Sequence, residues 1–191
     1  YLQDELNLGI VYGSLTLRSV AETQIDTVHG DFSAKELDGG LHARIIYGNA
    51  AAREIMGDCV LQDVQGNLDL REIEGQVSTK CGGNARIRLD PLPGKEYHVK
   101  ADGNLYCHLP QDASVKLVMN GESDIIKVKS PKSAQVYHQS DLTLELGDSS
   151  AEMLLSAGGG LYVSYDEDSS GESDSGEGMY TEDLRQQIAQ Q

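Results

Sequence analysis

Apolar and polar residues alternate along this chain in a frame of nine. Glycines stand at 30, 39, 48, 57, 66 and 75, and a constant interval of that kind marks a repeat architecture. With each glycine as position 1, positions 3, 5 and 8 read Phe32, Ala34, Leu37; Leu41, Ala43, Ile46; Ala50, Ala52, Ile55; Cys59, Leu61, Val64; Leu68, Leu70, Ile73; and Val77, Thr79, Gly82. Sixteen of these 18 slots are apolar, where composition alone would fill about seven. The other non-glycine positions hold only six apolar residues in 30: Ile45, Tyr47, Ala51, Met56, Val60 and Cys81. The frame therefore separates an inside from an outside.

Positions 3 and 5 are two apart, as in a strand with one buried face, and the step from 5 to 8 breaks the alternation and predicts a bend. Glycine at position 1 is expected to supply a positive φ or a tight corner. A helical reading fails, because a glycine every nine residues would cost about 1 kcal/mol at each recurrence. Nine residues are too few to wrap a packed core. The expected architecture is all-β, a parallel β-solenoid with two units or 18 residues per coil and like positions stacked about 4.8 Å apart. Stacks such as Phe32/Ala50/Leu68 and Leu37/Ile55/Ile73 follow.

The frame extends back through Ala21 and, after a slip of one, to Gly13, so the roll is expected to begin near residue 10. After Gly83 the register loosens into longer alternating strands at 97–101, 105–109, 113–119, 125–129, 134–137, 142–146, 153–155 and 161–165. These predict a solenoid over 10–165 that continues with larger coils, preceded by a lead-in or cap at 1–9. The segment DEDSSGESDSGEGMYTED (166–183) has eight acidic residues and no basic one, a composition that cannot bury a core. Residues 166–180 read as a linker. Thr181 can N-cap a short helix over 181–191, with Leu184 and Ile188 on one face. The chain opens without Met and ends inside that helical stretch, as a processed or partial product would.

The iterated core GDCVLQDVQGNLDLREIEGQVSTK (57–80) and the later GNLYCHLPQDASVKLVMNGESDIIKV (103–128) resemble the adhesin-like family of bacterial β-solenoid domains, a family without an assigned function. The likeness covers roughly 10–165. It implies a β-solenoid tied to the cell envelope or surface, with no catalytic residues to transfer. Bactofilin-like cytoskeletal solenoids, which polymerise end to end, are similar in coil length only.

Charge and candidate chemistry narrow the function. Fifteen basic residues against 31 acidic ones leave a net charge of −16, which repels a phosphate backbone, so no nucleic-acid partner is expected. No apolar run is long enough for a transmembrane helix, and 1–6 has no signal-peptide character. Three cysteines without paired spacing do not make a disulfide framework and lean towards a reducing compartment, so a cytoplasmic location stands beside the envelope one. Cys59 and Cys107 read as small core residues and Cys81 as the outward one. Calcium rolls also use nine-residue units, but position 6 here holds Lys35, Arg44, Arg53, Gln62, Arg71 and Lys80, cations where oxygen ligands would be needed. The five scattered histidines form no zinc motif. No metal, no cofactor and no catalytic residue is assigned.

Stacked coils would align the cations into ladders, Lys35/Arg53/Arg71 on one side and Arg44/Lys80 on the other, beside Glu36, Glu54 or Glu72. They serve as charge-paired solubilising faces or as a docking stripe for an anionic partner, the acidic tail included. The outward apolar residues Ile45, Tyr47, Ala51, Met56 and Val60 form the candidate interaction surface. Open solenoid ends also present unpaired strand edges. The expected protein is thus a non-catalytic structural or adhesin-like solenoid that self-associates into a homo-oligomer or filament, or mediates surface contacts. The alternative is an envelope-associated sensor or binding module that recognises a protein, peptide or glycan on one face.

Overall fold

The computed structural model describes residues 5–123, 125–130 and 133–165; the expected helix over 181–191 lies outside them. Among the described residues eighteen strands form two nine-stranded sheets, and there is no helix. The architecture is a parallel β-solenoid. Its coils begin with β1 (Leu6–Val11) and β2 (Leu15–Arg18), then β3 (Thr23–Val28) and β4 (Phe32–Leu37), β5 (Leu41–Ile46) and β6 (Ala50–Ile55), β7 (Cys59–Val64) and β8 (Leu68–Ile73). Next come β9 (Val77–Cys81) and β10 (Ala85–Arg88), then β11 (Glu96–Ala101) and β12 (Leu105–Leu109). Odd strands build one sheet and even strands the other over these coils. Pairing begins at Leu6, opposite Thr23 of β3, four residues earlier than the sequence frame places it.

The expected stacks form, with Phe32, Ala50 and Leu68 on successive rungs and Leu37, Ile55 and Ile73 likewise. The core residues Phe32, Leu37, Leu41, Ile46, Ile55, Leu61, Val64, Leu68, Leu70, Ile73 and Val77 are all buried, each contributing about 1.5–3 kcal/mol of apolar burial. The bend between positions 5 and 8 is carried in the even sheet by Glu36, Glu54 and Glu72, with left-handed φ of 58, 57 and 54°. In that conformation position 7 leaves the pleat, and position 8 turns back into the core.

The repeat glycines work through space rather than torsion. Gly30, Gly39, Gly48, Gly57, Gly66 and Gly75 do not have positive φ. A Cβ at any of the six would lie 2.3–2.7 Å from a backbone atom of the preceding coil, so the residue must be glycine for neighbouring corners to touch. The last strict unit is one residue short. Cys81, not Gly82, pairs with Val64 and fills the inward slot; Cys81 is fully buried, against the outward placement the frame assigns it.

The later strands do not follow chain order. They are β13 (Val115–Gly121), β14 (Ile126–Ser130), β15 (Ser133–Tyr137), β16 (Asp141–Leu146), β17 (Ala151–Ala157) and β18 (Leu161–Tyr165). Instead of larger coils, the last two strands fill a rung left open earlier. β17 pairs in parallel with both β11 and β13, and β18 with both β12 and β14. β15 and β16 pair antiparallel to β14 and β13 and close the far end. β13 and β14 are therefore held one rung away from the coil they follow, and that gap closes only when β17 and β18 enter it.

Candidate interaction surface

One corner of the solenoid carries a ladder of polar side chains at position 2. Asp31 Oδ1 accepts from Asn49 N at 2.7 Å and Asn49 Nδ2 at 3.1 Å. Asn49 Oδ1 accepts in the same way from Asn67 N at 2.9 Å and Nδ2 at 3.1 Å. Asn67 Oδ1 accepts from Asn84 N at 2.9 Å, Asn84 Oδ1 from Asn104 N at 2.8 Å, and Asn104 Oδ1 from Gly160 N at 2.7 Å. Each side chain thus satisfies a corner N–H one coil on, the accounting that buried or half-buried backbone demands. The last step reaches Gly160 in the inserted rung. This ladder ties each corner to the next, and the sequence shows it only as recurring Asp or Asn after alternate glycines.

The cation ladder of the even sheet forms as expected and runs further. Arg18, Lys35, Arg53, Arg71 and Arg88 occupy successive rungs. In its first half the cations interleave with the left-handed glutamates: Arg18 holds Glu36 at 3.0 and 3.1 Å, Lys35 reaches Glu36 at 2.9 Å, and Arg53 reaches Glu54 at 2.9 Å. The Arg18 and Lys35 hydrogen bonds bring the Glu36 carboxyl down to about 2. Arg71 is gripped by Asp69 at 2.9 and 3.0 Å. The odd-sheet ladder is interrupted: Gln62 stands on the rung between Arg44 and Lys80, and Arg44 is bound instead by Asp26 at 2.6 and 3.0 Å. Lys80 sits beside Lys100 of the next coil.

The five outward apolar residues do not meet. Ile45 and Val60 lie on the odd sheet and Ala51 on the even one. Tyr47 and Met56 project from successive turns between the sheets, one after β5 and one after β6. Tyr47 belongs to a corner stack in which His29 lies between Tyr12 and Tyr47, with centroids 5.1 and 5.0 Å apart and rings within 7° of parallel.

Sequence reasoning misses a different surface, which exists only because β18 enters between β12 and β14. There two outward columns run side by side, Arg86–Tyr106–Tyr162–Lys127 and Arg88–His108–Ser164–Lys129. Tyr106 and Tyr162 stack at 4.9 Å and 11°, Lys127 Nζ lies 5.5 Å from the Tyr162 centroid, and His108 Nδ1 is 2.9 Å from Ser164 Oγ. Burial raises the Tyr106 hydroxyl above its ordinary value, Tyr162 adding to the effect, while Arg86 opposes it. β10, β12, β14 and β18 contain no Asp or Glu. On a chain of net charge −16, four cations, a histidine and two tyrosines are thus gathered on one flat face.

The solenoid ends differ from its faces. At the first coil Leu6, Leu8, Val11 and Leu15 occupy core columns but are only partly buried, and Ile10 and Tyr12 are 55% and 82% exposed. At the far end Leu142, Leu144 and Leu146 are likewise half-buried. Edge strands are ordinarily guarded by charge. β16 carries Asp141 and Glu145, whereas the six residues of β1, LNLGIV, carry none.

Burial pushes the Cys59 thiol up to about 12 and Cys81 to about 11, and Cys107 is raised by the same cause. Among the described residues no group of three His, Cys, Asp or Glu side chains converges to hold a metal ion, and no helix is long and apolar enough to cross a membrane. Compared with protein-family models, curated proteins and solved structures, the chain matches none.

Proposed function

We propose that the protein is a non-catalytic structural solenoid that associates with further copies of itself through the open first coil. The observation that carries this reading is the uncharged β1 edge. Among the described residues no strand pairs with its outer side, which lies beside the half-buried core residues Leu6, Leu8 and Leu15 and the exposed Ile10. Adding strands from another copy would pair that side and complete the core columns, the energetics by which edge strands recruit partners. A setting at the cell envelope or surface rests on the family resemblance alone. Sedimentation velocity over a hundredfold range of protein concentration tests the reading. Mass should rise with concentration, and Leu8→Lys, which places a charge at the edge, should return the protein to monomer. A wild-type protein that stays monomeric throughout would overturn it.

The second reading, a binding module for a protein, peptide or glycan, draws support from the basic and aromatic face around Tyr106 and Tyr162. Stacked tyrosines flanked by cations suit an anionic or glycan-like ligand. A saturable ligand lost on Tyr162→Ala, bound by a monomer, would favour it over self-association.

A further inference from the structure

We propose that the basic and aromatic face formed by β10, β12, β18 and β14 is the docking site for the chain's own acidic segment, residues 166–183. The segment follows Tyr165, the last residue of β18, and β18 lies inside the face rather than at its rim. The two are complementary in charge. The segment carries eight acidic residues and no basic one, and the four strands carry Arg86, Arg88, Lys127 and Lys129 and no acid. Further along the even sheet the cations sit among carboxylates of their own, Lys35 and Arg53 with Glu36 and Glu54 and Arg71 with Asp69. Lys127 and Lys129 of β14 stand four strands away from Asp69 of β8, so an incoming carboxylate gains most there.

Reach is not limiting. Four rungs span about 14 Å, and 18 extended residues span up to roughly 60 Å. Single ion pairs at a protein surface are weak, but a segment tethered at the face is present there at an effective concentration on the order of millimolar. Several weak contacts can then be made together. Glycine and serine among the acids allow the chain to follow a flat sheet without steric demand. The contact would neutralise the concentrated positive face of an acidic protein and bar other anions from it.

Amine footprinting of the full chain tests this, against a full-length variant whose eight acids at 166–183 are replaced by Asn or Gln. At low salt, Lys127 and Lys129 should be modified at least threefold more slowly in the native chain than in the neutralised variant. Lys80 and Lys100 on the opposite sheet should react equally in both. The protection should vanish at 0.5 M salt, as screening requires. Carbodiimide should link Lys127 or Lys129 to an acid of 166–183. When isotopically light and heavy protein are mixed, those links should stay within one chain. Equal reactivity of Lys127 and Lys129 in the two proteins would overturn the proposal and leave the face to an external anion. Links that form mainly to Lys80, Lys100 or Lys116, or mainly between chains, would overturn it too.

Discussion

Replacing Gly75 by alanine tests the account of the repeat glycines directly. The new Cβ would sit 2.3 Å from both the carbonyl carbon and oxygen of Gly57 and 2.4 Å from the Asp58 nitrogen. All three are main-chain atoms of a neighbouring corner and cannot rotate away. Ordinary contact requires about 3.5 Å, so the two coils must separate by roughly 1 Å there. That shift stretches the bonds pinning the corner, Gln76 N to Asp58 Oδ1 and Cys59 N to Gln76 O, both 2.8 Å. Overpacking of this kind costs about 1–3 kcal/mol and a weakened hydrogen bond about 1 kcal/mol. The expected loss is about 2–4 kcal/mol, seen as a fall of roughly 5–15 °C in Tm for a chain of this size. Far-ultraviolet circular dichroism during thermal and guanidinium unfolding measures it. Gly9→Ala is the internal control, since no atom lies within 4 Å of the position its new methyl group would take and its φ is not positive. It should be neutral or raise Tm slightly through the less flexible unfolded chain. Equal effects at the two sites would refute the claim that these glycines are selected by inter-coil contact.

The ladders and the core can be probed in the same way. Asn67→Ala removes a donor to Asn49 Oδ1 and the acceptor for Asn84 N, and should lower stability by about 1–3 kcal/mol in denaturant unfolding, with Asn67→Asp milder because the acceptor remains. The Glu36 carboxyl falls from 4.5 to about 2 in the folded protein. Its contribution is therefore complete above pH about 4.5 and is lost as pH falls towards about 2, so the acid unfolding curve of Glu36→Gln should be less steep than wild type in that window. Cys59, Cys81 and Cys107 are buried with raised thiols. Ellman's reagent at pH 8 should find almost no reactive thiol in native protein and three in denaturant; rapid reaction of one native thiol would return Cys81 to the surface.

The nine-residue frame makes the solenoid legible because its information is local. Apolar residues at positions 3, 5 and 8 place Phe32, Ala34 and Leu37 on one side of a strand wherever its neighbours lie, and equal spacing brings Ala50 and Leu68 onto the next rungs. The cation ladder Lys35/Arg53/Arg71 is readable for the same reason. Cys81 is misplaced by the frame because β9 lacks the extra bend residue, so its alternation runs unbroken through Val77, Thr79 and Cys81 where the frame skips two positions before the next inward slot. The position-2 ladder is harder to see, since Asp and Asn are common in any turn and only stacking shows that each accepts from the next coil.

The coil, its core and the interval at which corners must approach are thus written in residues close together in the chain. Which strands become neighbours where that interval ends is settled only in three dimensions. Nothing local tells β13 to leave a rung vacant or β18 to fill it after the chain has passed through β14, β15, β16 and β17. β12 and β14 each present an edge that any strand of matching pattern could join. That insertion sets Tyr162 on Tyr106 and Lys127 over Tyr162. The basic face, and the place where an acidic segment leaves it, are therefore products of long-range pairing between strands whose outward residues interact only once they share a sheet.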